Sequence, residues 1–103
     1  MQKGKLLKIY LRESDKYKGK LLYKYILDLL QLNNIKGATV FKGIYGYGVR
    51  GISEIDIFRL SLDLPISIES VDEEEKINSV IPKIKEVIKE NGLIVVTDCE
   101  IVK

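Results

Sequence analysis

The chain has 103 residues and a mass of 11.8 kDa, with 17 Lys+Arg against 15 Asp+Glu, 46% hydrophobic residues, one Cys and no His. This length suits one domain over 1–103, and burial of roughly 60–65% of the unfolded surface gives it a core that needs neither disulfide nor metal. The missing His excludes Ser-His-Asp and Cys-His nucleophiles, imidazole metal sites and histidine pH switches, while a net charge of +2 with mixed signs sets up no global field to gather nucleic acid or acidic membrane.

From Lys5 to Arg12, Leu7, Ile9 and Leu11 alternate with Leu6, Lys8, Tyr10 and Arg12, which predicts a strand with one wholly apolar face. Ser14 and Asp15 then read as caps of a helix with Gly19 in its first turn. Its apolar positions Leu22, Tyr25, Ile26, Leu29 and Leu30 recur at spacings of three and four, and it ends near Asn33-Asn34. A second strand is expected from Ala38 to about Ile44. It runs into a glycine-rich stretch, Gly43 to Gly51, followed by Ile52 to Phe58, and the whole reads as a long loop between two strands.

Leu64, Ile66 and Ile68 alternate against Pro65, Ser67 and Glu69, a third strand with Pro65 tolerated at its start or on an edge. Asp72 to Glu75 open a second helix, whose stripe is Ile77, Val80, Ile81, Ile84, Val87 and Ile88. Pro82 inside it removes the bond to the Asn78 carbonyl and predicts a kink or a restart. Asn91-Gly92 stops the helix. A last strand from Leu93 to Val102 is expected to place Val96, Asp98 and Glu100 on one face, with Cys99 on the other as an inert core thiol.

The order β-α-β-β-α-β with right-handed crossovers gives an α+β, ferredoxin-like sandwich: a four-stranded antiparallel sheet, both helices on one face, and the first and third strands central. The other sheet face is then expected to carry Leu6, Lys8, Tyr10, Arg12, Phe41, Ser67, Glu69, Val71, Val96, Asp98 and Glu100. So many large apolar groups, with Lys8 and Arg12 set to pair with Glu69, Asp98 or Glu100, read as a subunit interface; the alternative is an ordinary solvated face with long aliphatic stems. Lys8, Tyr10, Arg12, Phe41, Glu69, Asp98 and Glu100 are its candidate interface residues.

Gly43, Gly46 and Gly48 permit positive φ and close approach of backbone N–H groups to an anion, Lys42 and Arg50 flank them, and Tyr45 and Tyr47 offer stacking rings. These seven are the candidate ligand residues, against the alternative that the glycines form only a bulge or a flexible loop. The stretch matches neither the P-loop nor the dinucleotide fingerprint. Its aromatic and glycine pattern is reminiscent of an RNA-recognition motif, but on the wrong strand and beside acidic residues that repel phosphate, so nucleic acid is not an expected partner. The acidic run 72–75 points in several directions around a helix start and does not converge on a metal ion. The lysines Lys16, Lys18, Lys20 and Lys24 read as a solvated helix face, and no base, nucleophile and orienting group assemble into a catalytic site. Neither the opening Met1 to Lys5 nor any later stretch has the apolar run of a signal peptide or the ~20 apolar residues of a membrane span, so the expectation is a soluble, cytoplasmic protein.

Three blocks carry a family resemblance: Gly19-Lys-Leu-Leu-Tyr23, Lys36-Gly-Ala-Thr-Val-Phe-Lys-Gly-Ile-Tyr-Gly-Tyr-Gly48, and Leu60-Ser-Leu-Asp-Leu-Pro-Ile-Ser-Ile-Glu-Ser-Val-Asp-Glu-Glu-Glu-Lys-Ile77. The chain resembles, over nearly its whole length, the PII-like domain of unknown function 190 family, also called uncharacterised protein family 0166. The resemblance implies a ferredoxin-like protomer and a homotrimer with its sheets facing inward. It also implies kinship with PII signalling proteins, whose long loop touches a partner and whose inter-subunit clefts bind adenine nucleotides. Gly43, Tyr45, Gly46, Tyr47, Gly48 and Arg50 match the family's loop-base block. The PII phosphate loop has no counterpart at Glu90-Asn91-Gly92, the basic segment that follows the last PII strand has none before Lys103, and Gly51-Ile-Ser-Glu54 stands where relatives carry His.

The expectation is therefore a non-enzymatic PII-like regulator with no resident cofactor. It senses a small anion, with an adenine nucleotide the candidate ligand, and acts through its loop on a membrane transporter or enzyme. The alternative is a ferredoxin-like structural or interaction trimer, built like the metal-tolerance trimers, with no small ligand.

Overall fold

The alternation that defines the first strand extends back past Lys5. In the computed structural model, which describes the backbone of residues 1–56 and 61–103 and the side chains of 1–50 and 63–103, β1 spans Gln2–Arg12. There follow β2 (Lys16–Tyr17), β3 (Lys20–Leu21), α1 (Leu22–Leu32), β4 (Thr39–Lys42), β5 (Tyr45–Gly48), β6 (Gly51–Asp56), β7 (Ser61–Leu62), β8 (Pro65–Glu73), α2 (Glu74–Ile88) and β9 (Leu93–Ile101). The main sheet has the order β4-β8-β1-β9, all pairs antiparallel. As expected, the first and third strands of this sheet in chain order, β1 and β8, are central.

Register decides the faces, because residues directly opposite one another share a side of the sheet. Leu7, Ile9 and Leu11 lie opposite Ser70, Ile68 and Ile66 of β8. They pack with Leu22, Ile26 and Leu30 of α1 and with Ile77, Val80, Ile84, Val87 and Ile88 of α2 in one core. Both helices therefore cover the same face. On β9, Ile9 faces Ile94, Leu7 faces Val96, Lys5 faces Asp98 and Lys3 faces Glu100. This corrects the expected last strand: Val96, Asp98 and Glu100 lie on the helix side, and Leu93, Val95, Thr97 and Cys99 lie on the open side. Cys99 is a half-buried thiol of the open face, not of the core.

The first helix also starts later than its expected caps. Tyr17 pairs with Lys20 around a two-residue turn, Lys18-Gly19, with φ of 51° and 81°. Positive φ at both positions is what a tight hairpin of matching twist requires, and glycine supplies one of them at no steric cost. Ser14 and Asp15 thus precede a hairpin, and the first helical N–H, that of Leu22, donates to the Asp15 carbonyl at 2.7 Å.

In the second helix, Asp72 and Glu73 belong to β8. The Asp72 carboxylate is buried and accepts the backbone N–H groups of Lys36 (2.9 Å) and Glu73 (2.7 Å). Pro82 is accommodated within a single α2, with no restart. Pro82 and Asn78 are both exposed, which leaves the freed carbonyl open to water. After α2, Lys89 takes a positive φ (54°, with ψ of −116°) and the Asn91 N–H closes onto the Ile88 carbonyl at 3.0 Å. Gly92 is needed for closeness, not for φ: a Cβ there would sit 2.6 Å from Leu11 Cδ2 and 2.7 Å from the Tyr10 carbonyl oxygen.

Gly92→Ala should therefore cost about 1–3 kcal/mol through overpacking of backbone that cannot rotate away, read as a lower urea midpoint with an unchanged slope. Burial alone would raise the Asp72 carboxyl, but the N–H groups of Lys36 and Glu73, helped by the charges of Lys76 and Lys36, hold it below its ordinary range. Its contribution is present above the unfolded-state value of about 3.9 and is lost as pH falls through the folded-state value. In urea titrations from neutral pH to about pH 2, Asp72→Asn should be less stable at neutral pH and should lose less stability on acidification than the parent.

Candidate functional site

The stretch expected as a loop between two strands is largely a β-hairpin; its end, at 57–58, lies outside the described residues. Tyr45, Gly46, Tyr47 and Gly48 pair with Glu54, Ser53, Ile52 and Gly51 around a Val49-Arg50 turn, and β6 pairs on with β7. A two-residue turn makes the flanking pair exchange both backbone bonds, and the pattern repeats every second residue. The N–H groups of Gly48 and Gly46 thus point into the ladder rather than towards a ligand. Gly43, Gly46 and Gly48 do not use positive φ. Gly43 and Gly46 instead lie on the Pro65 ring, where an added Cβ would come within 2.7 Å and 3.4 Å of Pro65 Cγ. With Gly46 turned to Pro65, its neighbours Tyr45 and Tyr47 share the opposite side of the hairpin and stand exposed.

At the root of this hairpin the end of β1 delivers carboxylates, and the candidate cations meet them. Lys42 forms an ion pair with Glu13, whose hydrogen bond raises the lysine above its ordinary range. Arg12 Nη1 donates to Asp63 Oδ2 at 3.2 Å. The other Asp63 oxygen accepts the Ser14 N–H (3.2 Å) and hydroxyl (2.8 Å). Burial would raise the Asp63 carboxyl, but the bonds from Ser14 and then Arg12 hold it low. Arg50 makes a two-pronged contact with Asp15, Nη1 to Oδ1 at 2.6 Å and Nη2 to Oδ2 at 2.9 Å, and Nη2 also donates to the Asn91 carbonyl at 2.7 Å. The Asp15 hydrogen bond drives the Arg50 guanidinium further into its charged range.

The structure thus brings Lys42, Gly43 and Arg50 to the ends of β1 and β8, and it turns Tyr45 and Tyr47 outward. Glu13, Asp15, Asp63 and the Asn91 carbonyl belong to the same cluster and were not among the candidates. Asp15 in particular reads in sequence as a helix cap. The one local sign against that is Gly19, better placed in a hairpin turn than in a helix.

The open face carries five of the candidate interface residues, Lys8, Tyr10, Arg12, Phe41 and Glu69, as their register requires. Lys8 pairs with Glu69 at 3.8 Å as expected. Asp98 and Glu100 are on the other side, and Asp98 is bound to Lys5, which holds its carboxyl low. Arg12 turns to Asp63 rather than to β9. Tyr10, Phe41, Val71 and Leu93 are exposed across the open face, which is therefore more apolar than expected because β9 contributes Leu93 and Val95 to it. A groove of about 480 Å³, lined in part by Leu6, Thr39, Phe41, Glu69 and Val71, runs along its β4 side. Among the described residues no three His, Cys, Asp or Glu side chains converge as metal ligands, and no helix is long and apolar enough to cross a membrane.

Solved structures share this fold. The nitrogen regulatory PII-like protein CPII from Thiomonas intermedia K12, bound to ADP, AMP and bicarbonate, aligns with a TM-score of 0.74 over 96% of this chain and 88% of its own, at 23% identity. A candidate PII-like signalling protein from Thermus thermophilus aligns with a TM-score of 0.73 over 98% of this chain and 91% of its own, at 18% identity. An uncharacterised protein family 0166 member from Methanocaldococcus jannaschii is 62% identical over 103 residues, covering all of this chain and 95% of the relative. One from Aquifex aeolicus is 42% identical over 101 residues, covering 97% of this chain and 94% of the relative. The domain of unknown function 190, described as "Uncharacterized ACR", matches residues 4–101, and the chain belongs to that family.

Proposed function

We propose that this chain is a non-enzymatic PII-like regulatory protein of the cytoplasm. It assembles as a homotrimer through its open sheet face, senses a small anion at the clefts between subunits, and acts through the β5–β6 hairpin on a partner, a membrane transporter or an enzyme. An adenine nucleotide is the first ligand to test. The observation that carries the reading is the open sheet face itself. Tyr10, Phe41, Val71 and Leu93 stand exposed there beside the groove, while the adjoining hairpin presents Tyr45 and Tyr47. Apolar groups gathered on one sheet face favour association. A solved structure of the same fold is described as bound to ADP, AMP and bicarbonate, which supports a ligand of that class.

One observation favours a second reading, an interaction trimer without a small ligand: Lys42 and Arg50, the cations assigned to the anion, are already paired with Glu13 and Asp15. Light scattering should give three times the chain mass, and Val71→Asp, an exposed position outside the core, should lower it to that of one chain with the fold intact by circular dichroism. A monomeric parent would overturn the trimer. Calorimetry against ATP, ADP, AMP and cyclic AMP should show heat with at least one. A trimer silent to all four selects the second reading.

A further inference from the structure

The Arg50–Asp15 contact offers a mechanism for regulating the site proposed above, on which the inference rests. A guanidinium's paired N–H groups are the ordinary means of holding a phosphate or carboxylate in two-pronged fashion. Here that edge of Arg50 is filled from within the chain by Asp15 at 2.6 and 2.9 Å, and a further N–H is spent on the Asn91 carbonyl at 2.7 Å. Asp15 is prepared for this role: its residue is buried, 8% exposed, and the Arg12 N–H fixes Oδ2 at 2.9 Å. The contact joins the end of β1, the hairpin turn and the α2–β9 turn, while Tyr47 and Val49 beside Arg50 are 86% and 103% exposed. The turn's described attachment to the body therefore runs through the arginine.

We propose that Asp15 is a built-in competitor for the anion: bound to Arg50, it docks the hairpin turn, and an incoming phosphate must displace it, which frees the turn from Asn91. Ligand occupancy and hairpin docking then exclude one another. The apparent affinity for the anion is reduced by the fraction of molecules in which the latch is open.

Asp15→Asn tests this, because it removes the charge yet keeps an oxygen to accept the Arg12 N–H. Without ligand, amide hydrogen exchange at Gly46 and Gly48 should quicken in the variant while the amides of β1 and α2 hold. ADP affinity by calorimetry should tighten about tenfold, as expected if the latch is open in about a tenth of molecules, and the gain should vanish in Asp15→Asn/Arg50→Ala. Should Asp15→Asn fail to fold, Arg50→Gln provides the exchange readout: faster hairpin exchange supports docking and unchanged exchange overturns it. If the parent binds ADP and Asp15→Asn binds it no more tightly, the competition is overturned and the regulatory reading stands. If neither parent nor variant binds ATP, ADP, AMP, cyclic AMP or inorganic triphosphate, the reading and the competition fall together.

Discussion

The alternation of β1 governs the rest of the molecule. Paired along its length with β8 on one side and β9 on the other, it passes its two-residue period to both neighbours. Leu7, Ile9 and Leu11 thereby fix the side on which α1 and α2 bury their stripes. Lys8 and Tyr10 fix the side that no helix covers. A slip of one residue in either pairing would exchange the two faces of a strand, placing side chains such as Ile68 or Ile94 in water, and that cost pins the register. The open apolar face follows from the core: once the odd positions of β1 are committed inward, the even ones and their partners Val71, Val95 and Leu93 have nowhere else to point.

The same strand also ends where the chemistry is concentrated. Its C-terminal end and the residues that follow supply Arg12, Glu13 and Asp15, and each meets an opposite charge brought by a distant segment: Asp63, Lys42 and Arg50. Exposed ion pairs of this kind hold little net energy, so Lys42–Glu13, with its lysine half-exposed, orients more than it stabilises. Arg50–Asp15 differs in having a buried carboxylate that already accepts a hydrogen bond from the Arg12 backbone N–H. Breaking it from one side leaves a charge in a poor environment, which makes it two-state in character: either Arg50 is docked or something else must satisfy the acid or the arginine.

Much of this is legible in the sequence, and the limits have physical causes. Strands and helices with strong periodicity, such as Leu7-Ile9-Leu11 and the stripe from Ile77 to Ile88, identify themselves, and their order gives the topology. The faces of β9 do not follow from its residues, since Leu93-Ile-Val-Val96 is apolar at every position; only pairing with β1 decides that Ile94 and Val96 go inward. The start of α1 is hidden because Ser14-Asp15 make a good cap in isolation, and a hairpin of two rungs has too little periodicity to compete. The glycine-rich stretch suggests positive φ, whereas Gly43 and Gly46 are small in order to lie on Pro65, a contact between segments that local patterns do not encode. Arg50 can be seen as a cation near glycines, but its carboxylate partner lies 35 residues earlier in the chain.

The absence of His, which first removed whole classes of catalysis, also constrains how such a hairpin can be controlled. A guanidinium paired with a carboxylate titrates only far from neutrality, and Asp15 drives Arg50 still further into its charged range. Arg50 therefore keeps its charge through moderate changes of acidity, and no imidazole is present to sense them. Nor is there a second cysteine for an internal redox lock. What remains able to open a charged clamp of this kind is another anion that offers Arg50 at least what Asp15 offers, or a partner surface that competes for the Asn91 carbonyl. A multiply charged phosphate has the advantage over a lone carboxylate because it brings more acceptor oxygens and more charge to the same fork. Of these two routes, exchange of Asp15 for a phosphate is the one that the proposed competition for Arg50 uses.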